Sequence, residues 1–413
     1  MQKLTTDTIR AINEYVAHGV EQLEQPIEAA PNEMWQALRE TGTELWLDTG
    51  DIEQASEVWS AEMTALTTNN TLLNKEIQKG IYDDYIREAR SVVDDLAPEQ
   101  QVIEVAFMLN ARHGLRLVRR FGGMVCVELH TDLANDLDGI LAYGRRFHAI
   151  APDNFIVKVP LTATGILGAR RLREERIRVN FTLEFSARQN ALVAAVAQPN
   201  FVNVFLGRIG AYMLDNGLGD GKLAGERATL ASQRVVASIT EGRDEPTRQI
   251  AASMRGAEQI PALAGVDVMT MPVKVARAAR DELEASFCSQ REEVYPVAFA
   301  DGIDEDALRT DALWHVSEEL LGLAAAIDRS PPQAGDELAA RVREAGFADL
   351  FPRLSDDDRR AIAADGKIPK HERWAERIAQ GELAIDTLLN LAGLMSFAAD
   401  QAVLDDRIAG LLR

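Results

Sequence analysis

Phe155-Ile156-Val157-Lys158-Val159-Pro160 is an apolar, β-branched run interrupted by a single amine. Such a run reads as a strand covered on both faces, as strands of parallel sheets are. Alternation places Ile156, Lys158 and Pro160 on one face and Phe155, Val157 and Val159 on the other. Working outward, the segment extends to Asn154–Pro160 and has seven counterparts. Glu44–Asp48, Ala65–Asn69 and Met124–Leu129 precede it; Arg178–Leu183, Phe201–Gly207, Arg248–Met254 and Asp267–Met271 follow. Amphipathic stretches separate them, such as Asp132–Phe147 (Leu133, Leu137, Ile140, Leu141 and Phe147 on one side) and Ser186–Ala197. Eight strands in βα alternation predict an α/β chain with a closed (β/α)8 TIM barrel over residues 41–288; an open doubly wound sheet is the alternative.

Helical periodicity continues on both sides of the barrel. Residues 1–40 read as an N-terminal helical extension, through Ile9, Ile12, Val16, Val20 and Leu23 and then Met34 and Leu38. Val275–Phe287 reads as the last barrel helix and Gly302–Ile327 as a further helix, before a break at Ser330-Pro331-Pro332. Residues 289–381 form a charged helical extension, with a helix start at Ser355 and a stop at Gly366. That extension is compatible with a lid, a homo-oligomer contact or added bulk. Residues 382–413 hold a final helix, Ile385–Leu412, expected to pack on the barrel.

Composition narrows the function classes. Among 413 residues, 44 lysines and arginines face 65 acids, a net charge of −21. That balance argues against nucleic-acid binding, which needs an excess of basic residues. It admits an anionic small substrate only where arginines reverse the field locally. Cys126 and Cys288 are too few for a disulfide framework or a cysteine metal site, and the six histidines show no HExxH pairing, so no metal is expected. The N-terminus shows no secretory pattern, and no run approaches about 18 uninterrupted apolar residues. A soluble cytoplasmic protein without a membrane partner is therefore expected, and the sequons at Asn69 and Asn180 carry no consequence. Gly217-Leu-Gly-Asp-Gly221 reads as a turn, since it lacks the strand and spacing of a phosphate loop.

The polar residues that interrupt the strands carry the chemistry. Burial disfavours a lysine's charged form, and a neutral amine near the end of its strand can attack a carbonyl; a lysine snorkelling to solvent or paired with a carboxylate is the alternative for Lys158. Asp48 closes the first strand, Glu128 the third, and Thr67-Thr68-Asn69 the second. Asn180 and Thr182 lie in the fifth, Arg208 ends the sixth, and Ser253-Met254-Arg255 ends the seventh. In a barrel these C-terminal ends converge on one mouth, where such folds place their chemistry.

Leu47-Asp-Thr-Gly-Asp51, Leu66-Thr-Thr-Asn69, Phe155-Ile-Val-Lys-Val-Pro160, Asn180-Phe-Thr-Leu-Glu-Phe-Ser186, Phe205-Leu-Gly-Arg-Ile209 and Ser253-Met-Arg255 together resemble the signatures of the transaldolase family, in the family's order. The tail from Phe397 to Ile408 is similar to that family's C-terminal helix. The resemblance implies transfer of a dihydroxyacetone unit from sedoheptulose 7-phosphate or fructose 6-phosphate to an aldose phosphate, in pentose phosphate metabolism and without a cofactor. It implies Lys158 as the Schiff-base lysine and Glu128, through a water oriented by Thr182, as proton shuttle. Asp48 would handle the C4 hydroxyl proton. Asn69 and Asn180 would hold the dihydroxyacetone hydroxyls, and Arg208, Ser253 and Arg255 the phosphate.

Three positions depart from the family pattern. Asn203 replaces a serine that contacts substrate, Asn70 replaces a proline, and Leu129-His130 follows Glu128 in place of Val-Asp. Phe205 stands where aldolase relatives tend to carry tyrosine, which favours the transferase over a plain fructose 6-phosphate aldolase. A catalytically silent scaffold is disfavoured by the presence of Lys158, Asp48 and Glu128.

Overall fold

Eight parallel strands close on themselves in sequence order: β1 (Glu44–Asp48), β2 (Met63–Thr67), β3 (Met124–Glu128), β4 (Phe155–Pro160), β5 (Val179–Thr182), β6 (Phe201–Phe205), β7 (Arg248–Ala252) and β8 (Val268–Pro272). The computed structural model describes residues 4–413. Closure is made by β1 against β8, with Glu44 opposite Val268 and Asp48 opposite Pro272. The fold is a (β/α)8 TIM barrel with added helices, and β4 is buried at every position.

The barrel is filled in layers, as this fold requires. At its lower end Glu44 accepts hydrogen bonds from Thr64 Oγ1 at 2.5 Å and Trp46 Nε1 at 2.8 Å, and pairs with Arg248. Above it the rings of Trp46 and Phe201 meet edge-on, with centroids 4.7 Å apart. The next layer is polar: Asn180 Nδ2 donates to Cys126 Sγ at 3.3 Å, and Asn203 Nδ2 to Asn180 Oδ1 at 2.8 Å. Inward residues therefore pass from a charged layer through an aromatic one to a hydrogen-bonding one toward the strands' C-terminal ends.

Three strand ends fall two residues short of their expected limits, each for a local reason. Asn69 lies beyond β2 because its side chain caps the helix Asn70–Gln78, accepting from Leu72 N at 2.8 Å. β6 stops at Phe205 because Leu206 already starts the helix Leu206–Asp215, so Gly207 and Arg208 are helical. β7 stops at Ala252, and Ser253 turns away with φ +64°, a left-handed conformation rare for a residue with a Cβ. The helix expected from Asp132 divides into a short 3-10 turn and Leu137–Ile150, capped by Asp136. The last barrel helix runs Val273–Glu282, two residues earlier at its start and five at its end than its periodicity suggests. Gly302–Ile327 resolves into Glu305–Leu308, a 3-10 turn at Thr310–Leu313 and Glu318–Arg329.

The remaining helices wrap the outside. Thr6–Ala17 buries Ile12 and Val16 against Pro98–Phe121, a helix with proline in its first turn and left-handed Gly122 at its end. Glu318–Arg329 packs on Ala187–Val196, and Gly335–Glu344 on Ala163–Glu174. At that second contact a Cβ on Gly335 would fall 2.2 Å from Thr164 Oγ1, so glycine permits the approach. Helix Asp356–Asp365, capped by Ser355 and ended by Gly366, lies against the C-terminal helix Ile385–Leu412. That last helix is long and apolar enough to cross a membrane by length and composition. Here it packs on the helices between β2 and β3, and its Asp386, Asp400 and Asp405 are tied to residues of other elements. Asp386 receives Arg188 through two bonds (2.8 and 2.9 Å) and Ser186 Oγ at 2.6 Å, and Arg188 also reaches Asp349 at 2.9 Å.

Candidate active site

The strand register places Glu128 opposite Lys158, and Lys158 opposite Asn180, at one level of three adjacent strands. Lys158 is 3% exposed, and its Nζ donates to the carbonyl of Thr68 at 3.0 Å. Among the described residues it forms no ion pair within 4.0 Å. A buried amine held by a main-chain carbonyl keeps its remaining valences directed to the cavity it lines, so the geometry is neither that of a surface-seeking side chain nor that of a salt bridge.

That cavity, about 210 Å³, opens at the C-terminal mouth of the barrel. Asp48, Lys158, Asn203 and Phe205 line its depth; Asn69, Arg208, Ser253 and Arg255 line its outer part. Eight sequence-selected residues thus converge. Glu128, Asn180 and Thr182 are buried beside it without lining it. Asn180 has its amide engaged by Cys126 and Asn203. Thr182 Oγ1 is buried with no hydrogen-bond partner among the described residues.

The two acids differ in setting. Burial pushes Glu128 up to about 7, opposed by Lys158 and by the main-chain N–H of Asn70, which donates to Oε2 at 3.0 Å. Asp48 opens partly to the cavity; the surrounding protein raises its pKa, while Lys158 and the hydroxyl of Thr67, donating to Oδ1 at 2.7 Å, pull it back. Because Thr67 gives its proton to Asp48, Thr270, 2.7 Å away, must donate to Thr67. Two carboxylates with separately tuned protonation beside one amine form an acid–base set.

At the outer end Arg208 is 6% exposed, with its guanidinium between the rings of Phe205 (5.4 Å) and Phe397 (5.7 Å). Its Nη1 has no partner among the described residues, and burial, with the like charge of Arg255, lowers its pKa to about 10. Gly207 allows this pairing of cations: a Cβ there would lie 2.1 Å from Ser253 O and 2.7 Å from Arg255 Cγ. Two neighbouring guanidiniums without a carboxylate partner in ion-pair range among the described residues suit a phosphate or carboxylate ligand. The local field is positive although the whole chain is acidic.

The departures from the family pattern have local uses. Asn70 supplies the N–H that a proline lacks, and its side chain holds Leu129 O at 3.1 Å. His130 Nε2 meets Asp405 of the C-terminal helix at 3.1 Å. Asn203 is fixed by Asn180, Phe181 O and Glu184, whose carboxyl accepts its N–H at 2.8 Å and is itself raised by burial.

Sequence reasoning gave Thr67 no role and missed Thr270 and Thr71, all three lining the cavity, and Lys367, which enters from the helical extension. It also missed Asn390, whose amide bonds Leu161 O (3.2 Å) and Leu183 O (2.8 Å) and so ties the ends of β4 and β5 to the C-terminal helix. Thr67 stood within a quoted motif; Lys367 had no local signal beyond following a helix stop. Among the described residues no group of three or more histidines, cysteines or acids is placed to hold a metal.

The profile of the family described as transaldolase/fructose-6-phosphate aldolase matches residues 45–316. A protein named "Probable transaldolase" from Thermus thermophilus is 33% identical over 233 residues, covering 55% of this chain and 86% of the relative. Transaldolase of Xanthomonas euvesicatoria pv. vesicatoria is 29% identical over 309 residues (69% and 92%), and that of Xanthomonas campestris pv. campestris 30% over 233 residues (54% and 71%).

Proposed function

The chain belongs to the transaldolase/fructose-6-phosphate aldolase family of enzymes, and from that premise we propose that it is a transaldolase working through a Schiff base on Lys158. It takes a dihydroxyacetone unit from a ketose phosphate, sedoheptulose 7-phosphate or fructose 6-phosphate, and gives it to an aldose phosphate. The observation that carries this reading is the pairing, within one cavity, of a buried amine at the depth with Arg208, whose Nη1 has no partner among the described residues, and Arg255 at the mouth.

The chemistry follows the positions. The amine of Lys158, having given up its proton, adds to the C2 carbonyl, and the carbinolamine loses water to give an iminium. Glu128, with a pKa near neutrality, passes protons in both steps through a water held by the unpartnered hydroxyl of Thr182. Asp48 takes the C4 hydroxyl proton as the C3–C4 bond breaks; the bonding pair moves into the iminium, and the shortened aldose leaves. The enamine then attacks the acceptor aldehyde, Asp48 returns the proton, and hydrolysis frees the new ketose and Lys158. Asn69 and Asn203 hold hydroxyls of the bound unit; Asn180 supports them by fixing Asn203. Arg208, Ser253 and Arg255 bind the phosphate. Phe205 offers no hydroxyl to protonate the enamine, which supports transfer over release. The C-terminal helix, half buried in its most apolar window, supports a soluble enzyme.

Borohydride reduction with fructose 6-phosphate tests the covalent step: a mass increase on the peptide containing Lys158 is expected, and its absence defeats the proposal. Adding erythrose 4-phosphate should then multiply ketose turnover; glyceraldehyde 3-phosphate release unaffected by the acceptor would instead mean a plain aldolase.

A further inference from the structure

Helix Asp356–Asp365 ends at Gly366, whose φ of +74° reverses the chain and sends Lys367 into the mouth of the cavity. Ile368 packs behind it on the hydrophobic core, so the turn is anchored. Among the described residues Lys367 has one long ion pair, its Nζ lying 3.9 Å from Asp400 Oδ2, beyond hydrogen-bond reach. Asp400 is itself committed to the hydroxyl of Thr71, which also lines the cavity. A half-exposed lysine at this distance gains little from such a pair.

We propose that Lys367 is a third cation of the anion subsite formed by Arg208 and Arg255, and that the helical extension thereby sets the enzyme's selection for doubly charged phosphate monoesters. The proposal rests on the reading of this cavity as a sugar-phosphate site. Two observations beyond the position of Lys367 support it. Arg208 is more than nine-tenths buried with Nη1 unpartnered, so the subsite is short of an anion. The charges also balance. Arg208, Arg255 and Lys367 against Asp400 leave two net positive charges, which match a phosphate monoester that is mostly dianionic at pH 7, its second pKa being about 6. Without Lys367 one net charge remains, which suits a monoanion.

The test uses the full-length enzyme and its K367A, K367R and K367E variants, with K274A, an exposed lysine elsewhere, as charge control. In K367A the KM for fructose 6-phosphate should rise about 3- to 10-fold, with the loss falling on KM rather than kcat. K367R should recover most of it, K367E should lose more, and K274A should match the parent. Inorganic phosphate binding, measured by titration calorimetry, should weaken in the same order. If K367A leaves both the KM and the phosphate affinity at parental values, Lys367 has no part in the subsite and the inference is overturned. The phosphate arm needs no Schiff base, so a parent that fails borohydride trapping yet binds phosphate through Lys367 defeats the catalytic reading and leaves this one standing.

Discussion

The main-chain N–H of Asn70 points at the carboxylate of Glu128, 3.0 Å from Oε2. Asn70 is the first residue of its helix, so the positive end of the helix dipole adds to the same contact. Proline is tolerated at that position and removes only the donor. N70A keeps the N–H and loses the side chain. A hydrogen bond to a charged group is worth about 1.5–3 kcal/mol, so N70P should raise the acid limb of the kcat/KM profile by roughly one pH unit relative to N70A. Superimposable profiles would show that this donor does not tune Glu128.

Glu128 also makes stability depend on pH. Its native pKa of about 7 lies above the ordinary 4.5, so the folded state holds its proton more tightly than the unfolded one. The stabilisation is complete below the unfolded value and lost as pH rises through the native one. E128Q removes the titration, and its stability relative to the parent should improve by about 2 kcal/mol between pH 5 and pH 8. Parallel melting curves at the two pH values would contradict this.

Asp48 acts, in the proposed scheme, after the covalent bond has formed. D48A should therefore still trap a reduced adduct on Lys158 while its turnover falls roughly 100- to 10,000-fold. Loss of the adduct together with turnover would move Asp48 to an earlier step.

Arg188 joins Asp386 on the C-terminal helix to Asp349 in the helical extension, all three buried. R188M leaves two carboxylates without their cation and should destabilise by about 3–5 kcal/mol, seen in denaturant unfolding. Phosphate affinity should fall with it, because the same helix carries Phe397. A variant as stable as the parent would mean that the acids are neutralised in another way.

The barrel was legible because parallel strands are covered on both faces, so eight apolar runs stand out from amphipathic helices. Lys158, Asp48 and Glu128 were legible for the same reason: an ionisable group in such a run is conspicuous. The strand ends were not. Thr67-Thr68 has β-forming composition, yet the strand stops at Thr67 and Asn69 is a helix cap; Arg208 follows an apolar strand without a break, yet it is helical. Lys367 and Asn390 were invisible because their roles come from tertiary contact across well over a hundred residues, which no local pattern records.

Phe397, against which Arg208 is stacked, follows the last strand by 125 residues, counted from Pro272. Synthesis runs in that direction, and domains fold as they emerge from the ribosome. The sheet can close long before the aromatic and hydrogen-bonding supports of its mouth have been translated. A product truncated ahead of Ile385 would keep Lys158 but lack the aromatic wall beside Arg208, so the cavity is complete only once helix Ile385–Leu412 has been made.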